Sequence, residues 1–259
     1  FNDCQFTLDL RVTLRAMRQE LLGKRRNEIQ GMFGRIAHRY DLLNRVLSLG
    51  RDVSWRRVVS QRVADEEPRL VLDVCTGTGD LAMALNNGLV IGSDFCLPML
   101  DHAQRKGAGE SVRLPLCAAD ALHLPYPDAC FDAVTVAFGV RNFADLDAGL
   151  AEMVRVLRVG GLLVVLEFSR PRGALAPILG WWVRTIPPRV GRLLSGDAEA
   201  YAYLPASVQT FPEGREMCER LESAGLVEVS AAALTAGVAS VYEGRRVSEN
   251  RTLVEEDRT

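Results

Sequence analysis

The sequence predicts an α/β fold of the Rossmann-like kind, a mostly parallel seven-stranded sheet with helices on both faces. Three observations carry this. Short apolar runs alternate with stretches of helical periodicity from Val71 to Phe168, the pattern of parallel strands joined by crossover helices. The first run, Val71-Leu-Asp-Val74, stops at Cys75-Thr-Gly-Thr-Gly79 and restarts as a helix at Asp80-Leu-Ala82, which is the strand, glycine turn and helix of a nucleotide-binding unit. The last two runs, Leu226 to Leu234 and Gly237 to Tyr242, have no helical stretch between them, so they close the sheet as an antiparallel pair.

Taken in order, residues 1–28 form a helical extension, and 11–30 space Leu14, Met17, Leu21, Leu22 and Ile29 as an amphipathic helix. The main domain is expected over 29–246. Met32 to Gly50 gathers Phe33, Ile36, Leu43, Val46 and Leu47 on one apolar face that Tyr40, Asp41 and Asn44 interrupt. Asp41 reads either as a helix cap or, with Tyr40, as part of a site. Trp55 marks where these helices meet the core. Strands then follow at Leu89–Asp94, Val112–Leu116, Phe131–Phe138 and Gly161–Phe168, with a helix from Leu97 to Lys106. A further helix from Leu146 to Leu157 puts Leu146, Leu150, Met153, Val154 and Leu157 on one face, and Gly160-Gly161 stops it.

Between 170 and 210 the texture changes. Arg170 to Gly196 carries Arg170, Arg172, Arg184, Arg189 and Arg192 with no acid, beside Trp181 and Trp182 in a run broken by Pro177, Pro187 and Pro188. This reads as a lid-like insertion that also touches membrane lipid. A helix opens at Phe211-Pro-Glu-Gly214 and runs to about Ala224, and the charged tail 247–259 is expected to be disordered.

Composition narrows the function classes. A chain of 259 residues, 48% apolar, can bury one substantial core. A net charge of −2 excludes a general nucleic-acid binder. Six cysteines without a C-x-x-C pair and only three histidines encode neither a zinc site nor a disulfide frame, and a reducing cytoplasm is the simplest setting. No run of eighteen apolar residues suggests a membrane span.

The chemistry concentrates around the glycine turn, where Gly77 and Gly79 let the backbone approach a ligand and Thr76 and Thr78 flank them. Asp94, with Phe95, ends the second strand where a ribose diol is held. NAD enzymes share that acid and the loose glycine fingerprint, so neither separates the two cofactor classes. Asp73 within the first strand and Asp120-Ala121 after the third match the S-adenosylmethionine pattern instead. Strand topology delivers Arg141 and Asn142 to the same crevice. His123 reads as a surface or packed histidine.

Several separate stretches together resemble one family, the quinone-biosynthesis C-methyltransferases that methylate demethylmenaquinol and, in other organisms, the ubiquinone precursor. They are Tyr40-Asp-Leu-Leu-Asn44 with Ser48 and Trp55, Phe138-Gly-Val-Arg-Asn142, Arg155-Val-Leu-Arg-Val-Gly-Gly161 with Glu167-Phe-Ser169, and Ser195-Gly-Asp-Ala-Glu-Ala-Tyr201. The resemblance implies a class I S-adenosylmethionine-dependent methyltransferase fold. It also implies a cofactor held at Thr78, Asp94, Asp120, Ala121 and Ala137, a polyprenylated quinol acceptor, peripheral contact with the inner face of the membrane, and room for a homodimer. Ala137 stands where the family can carry serine, Asp52 where it often has histidine, and His38 where proline is usual. On this reading Arg141 is the one fixed positive charge beside the cofactor, Asn142 and Tyr40 orient the acceptor hydroxyl, and Asp41 or a water takes the proton.

Overall fold

The computed structural model describes residues 28–35, 37, 40–86, 88–109, 113–173, 176, 177, 179, 180, 185 and 206–247. The helix expected before residue 28, most of the insertion with Trp181, Trp182, Arg184, Arg189 and Arg192, the Ser195–Tyr201 motif and the tail beyond 247 lie outside the described residues.

Seven strands form one sheet in the order β3-β2-β1-β4-β5-β7-β6. They are β1 (Leu70–Val74), β2 (Leu89–Asp94), β3 (Leu116–Ala118), β4 (Phe131–Ala137), β5 (Leu157–Phe168), β6 (Leu226–Leu234) and β7 (Ala239–Arg246). β1 to β5 pair in parallel, while β7 runs antiparallel to both β5 and β6, as the sequence predicts. The helices are α1 (28–35), α2 (Tyr40–Leu47), α3 (Arg51–Ala64), α4 (Asp80–Ala84), α5 (Leu97–Gly109), α6 (Leu146–Val156) and α7 (Arg215–Ser223).

Because side chains alternate along a strand, each strand feeds two cores. Leu72, Val134, Val136, Leu163 and Val165 pack with Leu150 and Met153 of α6 and Met217 and Leu221 of α7. Val71, Ala133, Val164 and Leu166 face Trp55, Val59 and Val63 of α3 and Leu81 of α4. Asp73 and Thr135, partners in register across β1 and β4, alternate onto this second face. A buried acid there departs from an apolar pattern.

Several boundaries differ from expectation, β7 for instance running to Arg246 where Gly237 to Tyr242 is expected, and α5 to Gly109 instead of Lys106. The stretch from Met32 to Gly50 is two helices, so Tyr40 and Asp41 open α2 rather than interrupt a longer helix. The third strand is Leu116–Ala118, not Val112–Leu116, because it is an edge strand that pairs only with Gly92–Asp94. The fifth begins at Leu157, since Leu157 already pairs with Phe131 and Gly160-Gly161 fall in a register shift instead of a stop.

Helix α3 is tied to β7 and to the turn that leads into it. Trp55, only 2% exposed, donates through Nε1 to Thr235 Oγ1 at 2.9 Å and packs its ring on Phe138 and Phe168. Arg62 pairs with Glu243 at 2.7 Å, and Glu66 takes a two-pronged contact from Arg245 at 2.6 and 2.7 Å.

Helix α6 starts on a capping acid, with Asp145 Oδ1 accepting from the Ala148 N–H at 3.1 Å. Asp145→Ala should therefore cost about 1 kcal/mol. Urea unfolding checks it: the midpoint should fall with an unchanged slope.

Candidate active site

The turn leaving β1 is held from below and from the side. Asp73 accepts from Thr76 Oγ1 at 2.7 Å and Thr135 Oγ1 at 2.8 Å. Burial pushes its carboxyl up to about 6, against the two hydroxyls that donate to it. Each oxygen thus takes one hydroxyl from the fold, and Asp73 shapes the turn from beneath. Gly77 and Gly79 take φ of 56° and 83°, values that side chains other than glycine rarely adopt. The Thr76 N–H reaches the carbonyl of Ser93 at 2.9 Å, joining the turn to β2.

Asp94 closes β2 with both oxygens engaged by backbone, Oδ2 by the Gly77 N–H at 2.9 Å and Oδ1 by the Cys96 N–H at 2.8 Å. Burial pushes its carboxyl up, and those N–H groups pull it back. A carboxylate oxygen can accept more than one bond, so Asp94 can still receive a diol from the cavity it borders. That cavity runs past Gly77, Asp94, Phe95, Asp120 and Ala121 to Tyr40, Ala137 and Asn142. Asp120 is fixed by the Leu122 N–H, which donates to its Oδ1 at 3.0 Å. Ile29, Phe33, Met99, Leu122 and Phe143 supply apolar wall, and Phe33 meets the Tyr40 ring edge-on at 5.9 Å. Two acids, Asp94 and Asp120, set in an apolar slot beside a glycine turn, fit S-adenosylmethionine.

Most of the expected residues therefore meet at one place: Tyr40, Gly77, Asp94, Phe95, Asp120, Ala121, Ala137 and Asn142 border this cavity, and Asp73, Thr76 and Thr78 border a smaller chamber beside it. Gly79 shapes the turn without bordering either. Two residues stand differently. Asp41 accepts from Thr78 Oγ1 at 2.5 Å and from Lys106 Nζ at 2.8 Å, so it tethers α2 to the glycine turn and to α5, and neither cavity wall includes it. Arg141 turns its Nη1 to the Phe138 carbonyl at 2.7 Å and to Glu167 Oε1 at 2.5 Å, with its guanidinium over the Phe168 ring. Glu167 is fully buried. Burial pushes its carboxyl up, while the Arg141 guanidinium and nearby N–H groups pull it back. The expectation of Arg141 as the one fixed positive charge beside the cofactor is also corrected, because Arg56 of α3 borders the smaller chamber. Burial raises the Tyr40 phenol, and Arg141 opposes it most strongly among the nearby charges.

Sequence reasoning missed Arg56, Lys106 and Glu167 as parts of the site. Glu167 carried a legible signal, an acid ending an otherwise apolar strand. Arg56 and Lys106 did not, because each sits on a helix among other basic residues and only packing selects it. His123 is exposed, as expected.

Strand order and cavity together define a class I S-adenosylmethionine-dependent methyltransferase. Solved structures agree on the fold: a Thermotoga maritima S-adenosylmethionine-dependent methyltransferase, described as a possible histamine N-methyltransferase, superposes with a TM-score of 0.57 at 18% identity over 83% of this chain and 98% of its own. The chain belongs to the ubiE/COQ5 methyltransferase family, whose model matches residues 21–246. Among its relatives are proteins named demethylmenaquinone methyltransferase from Deinococcus radiodurans, 48% identical over 83% of this chain and 91% of the relative, and from Thermus thermophilus, 46% identical over 83% and 100%.

Charge-assisted hydrogen bonds contribute about 1.5–3 kcal/mol, so Asp94→Ala should weaken S-adenosylhomocysteine binding by roughly tenfold to a hundredfold. Calorimetry reads this directly. Unchanged affinity would remove Asp94 from the ribose.

Proposed function

We propose that the chain methylates a ring carbon of a polyprenylated quinol, converting demethylmenaquinol to menaquinol. The carrying observation is the makeup of the cavity on its acceptor side, apolar walls with Tyr40 and Asn142 as the polar groups next to the end of β4. A fused aromatic ring bearing a hydroxyl matches that composition. The names of the relatives at 48% and 46% identity favour the naphthoquinol over the benzoquinol of ubiquinone synthesis.

Bound S-adenosylmethionine supplies an electrophilic sulfonium methyl. A ring carbon becomes nucleophilic enough only when the adjacent hydroxyl ionises. For a phenol of pKa about 10 at pH 7 that costs roughly 4 kcal/mol. Tyr40 and Asn142 stabilise the oxyanion by hydrogen bonds made in a site that α1 and α2 shield from water. Behind them Arg141 biases the Tyr40 phenol toward donating, and Glu167 fixes the guanidinium in place. Asp41 gives its oxygens to Thr78 and Lys106 and borders neither cavity, so a water at the cavity mouth takes the proton.

The prenyl tail keeps such an acceptor in the bilayer, and peripheral contact with lipid belongs to the same reading. No helix among the described residues is long and apolar enough to cross a membrane. Arg170 and Arg172 both pair with Glu213 at 2.9 Å, so attraction to anionic headgroups falls to the other basic residues of the insertion. Flotation with liposomes should show capture that rises with anionic lipid and falls with salt; equal capture by neutral vesicles would discard the electrostatic part.

The reaction itself is tested with labelled cofactor and demethylmenaquinone, reduced or oxidised. Only the reduced acceptor should be methylated, and equal rates with the quinone under strict exclusion of reductant would overturn the mechanism. Arg141→Leu would strand the Glu167 charge in the core, so Arg141→Lys is the better probe. It should lower kcat and kcat/KM together by about tenfold to a hundredfold with cofactor affinity unchanged. A loss confined to KM would leave Arg141 a role in substrate binding alone.

A further inference from the structure

The adenosine-side residues fix a direction along the sheet. Asp94 closes β2 and Asp120 follows β3, so adenosine held there lies over the β2–β3 half. The other end of the cofactor then points across β1 toward β4. On that side lies the smaller chamber, which shares Tyr40, Cys75, Gly77 and Ala137 with the main cavity. Its other walls are polar apart from Leu81, and among the described residues that line it the cation is Arg56.

Arg56 is buried and held on two sides. Its Nη1 meets Asp52 Oδ2 at 2.5 Å and lies 3.5 Å from Asp80 Oδ2, and its guanidinium sits 5.5 Å from the centre of the Phe138 ring. Both ion pairs run through one nitrogen, whereas a guanidinium carries five N–H donors in a planar fork suited to carboxylates. We propose that Arg56 binds the carboxylate of the cofactor's amino-acid end, so that this chamber selects a zwitterionic ligand over adenosine thioethers lacking that end.

Charge balance supports the assignment. Asp41, Asp52 and Asp80 interlock with Arg45, Arg56 and Lys106, equal numbers of acids and bases. A zwitterion adds one charge of each sign and leaves that balance intact. A bare carboxylate or a bare amine would leave a buried charge uncompensated. Asp80, already in that network, borders the same chamber and supplies the acid for the ammonium.

The inference rests on the cofactor class and not on the acceptor, so its test omits the acceptor. Calorimetry compares S-adenosylhomocysteine, its decarboxylated analogue and 5′-methylthioadenosine on the wild-type chain, Arg56→Met and Arg56→Lys. The wild-type chain should bind S-adenosylhomocysteine about tenfold to a hundredfold more tightly than the decarboxylated analogue. In Arg56→Met that difference should vanish while methylthioadenosine affinity holds, which also reports an intact fold. Arg56→Lys keeps a charge for Asp52 and should restore part of the difference. Retained discrimination in Arg56→Met overturns the proposal. So does an equal loss of all three ligands in both variants, which would mark Arg56 as a structural brace.

Discussion

An ionised acid in the middle of a buried strand is costly unless the fold gives it donors, and Asp73 receives two, from Thr76 on the turn and Thr135 on the neighbouring strand. The hydroxyl of Thr76 can reach Asp73 only if the chain doubles back immediately after β1, so the acid sets the shape of the turn. Asp94 then fixes the same turn from β2 through the Gly77 N–H. Atoms from three adjacent strands thus converge on a few residues of backbone, and the ligand-facing geometry exists before any ligand arrives.

The acceptor side depends on that turn as well. Asp41 reaches Thr78 on one side and Lys106 on the other, so the helix presenting Tyr40 is anchored to the cofactor cradle. Asp52, where the family often carries histidine, brings a negative charge into this region, and the fold answers it with Arg56 and the Ser48 hydroxyl. The departure is absorbed within the charge network, and a buried network of this kind is little weakened by salt.

The order of elements and the antiparallel close of the sheet were legible because hydrophobic periodicity reports burial directly. The glycine turn and its acids were legible because buried acids in strands have few explanations. Side-chain direction was not. Arg141 and Asp41 sit in stretches that sequence reasoning placed at the site, yet Arg141 turns its Nη1 to Glu167 and Asp41 gives its carboxylate to Thr78 and Lys106. The break between α1 and α2 escaped notice because the apolar spacing from Phe33 to Leu47 suits one long helix as well as two short ones.

The contacts that bind α3 to the far end of the chain bear on how the protein comes into being. Trp55 finds its hydrogen-bond partner 180 positions later, and Glu66 meets Arg245 after 179. Synthesis runs from the N-terminus, so the helix that carries Arg56 and leads back to Tyr40 emerges long before the strand that secures it. Contacts so distant in sequence form late and slowly. The acceptor half of the site is therefore assembled last, after β7 has slotted between β5 and β6. Losing the final strand would loosen the opposite end of the chain.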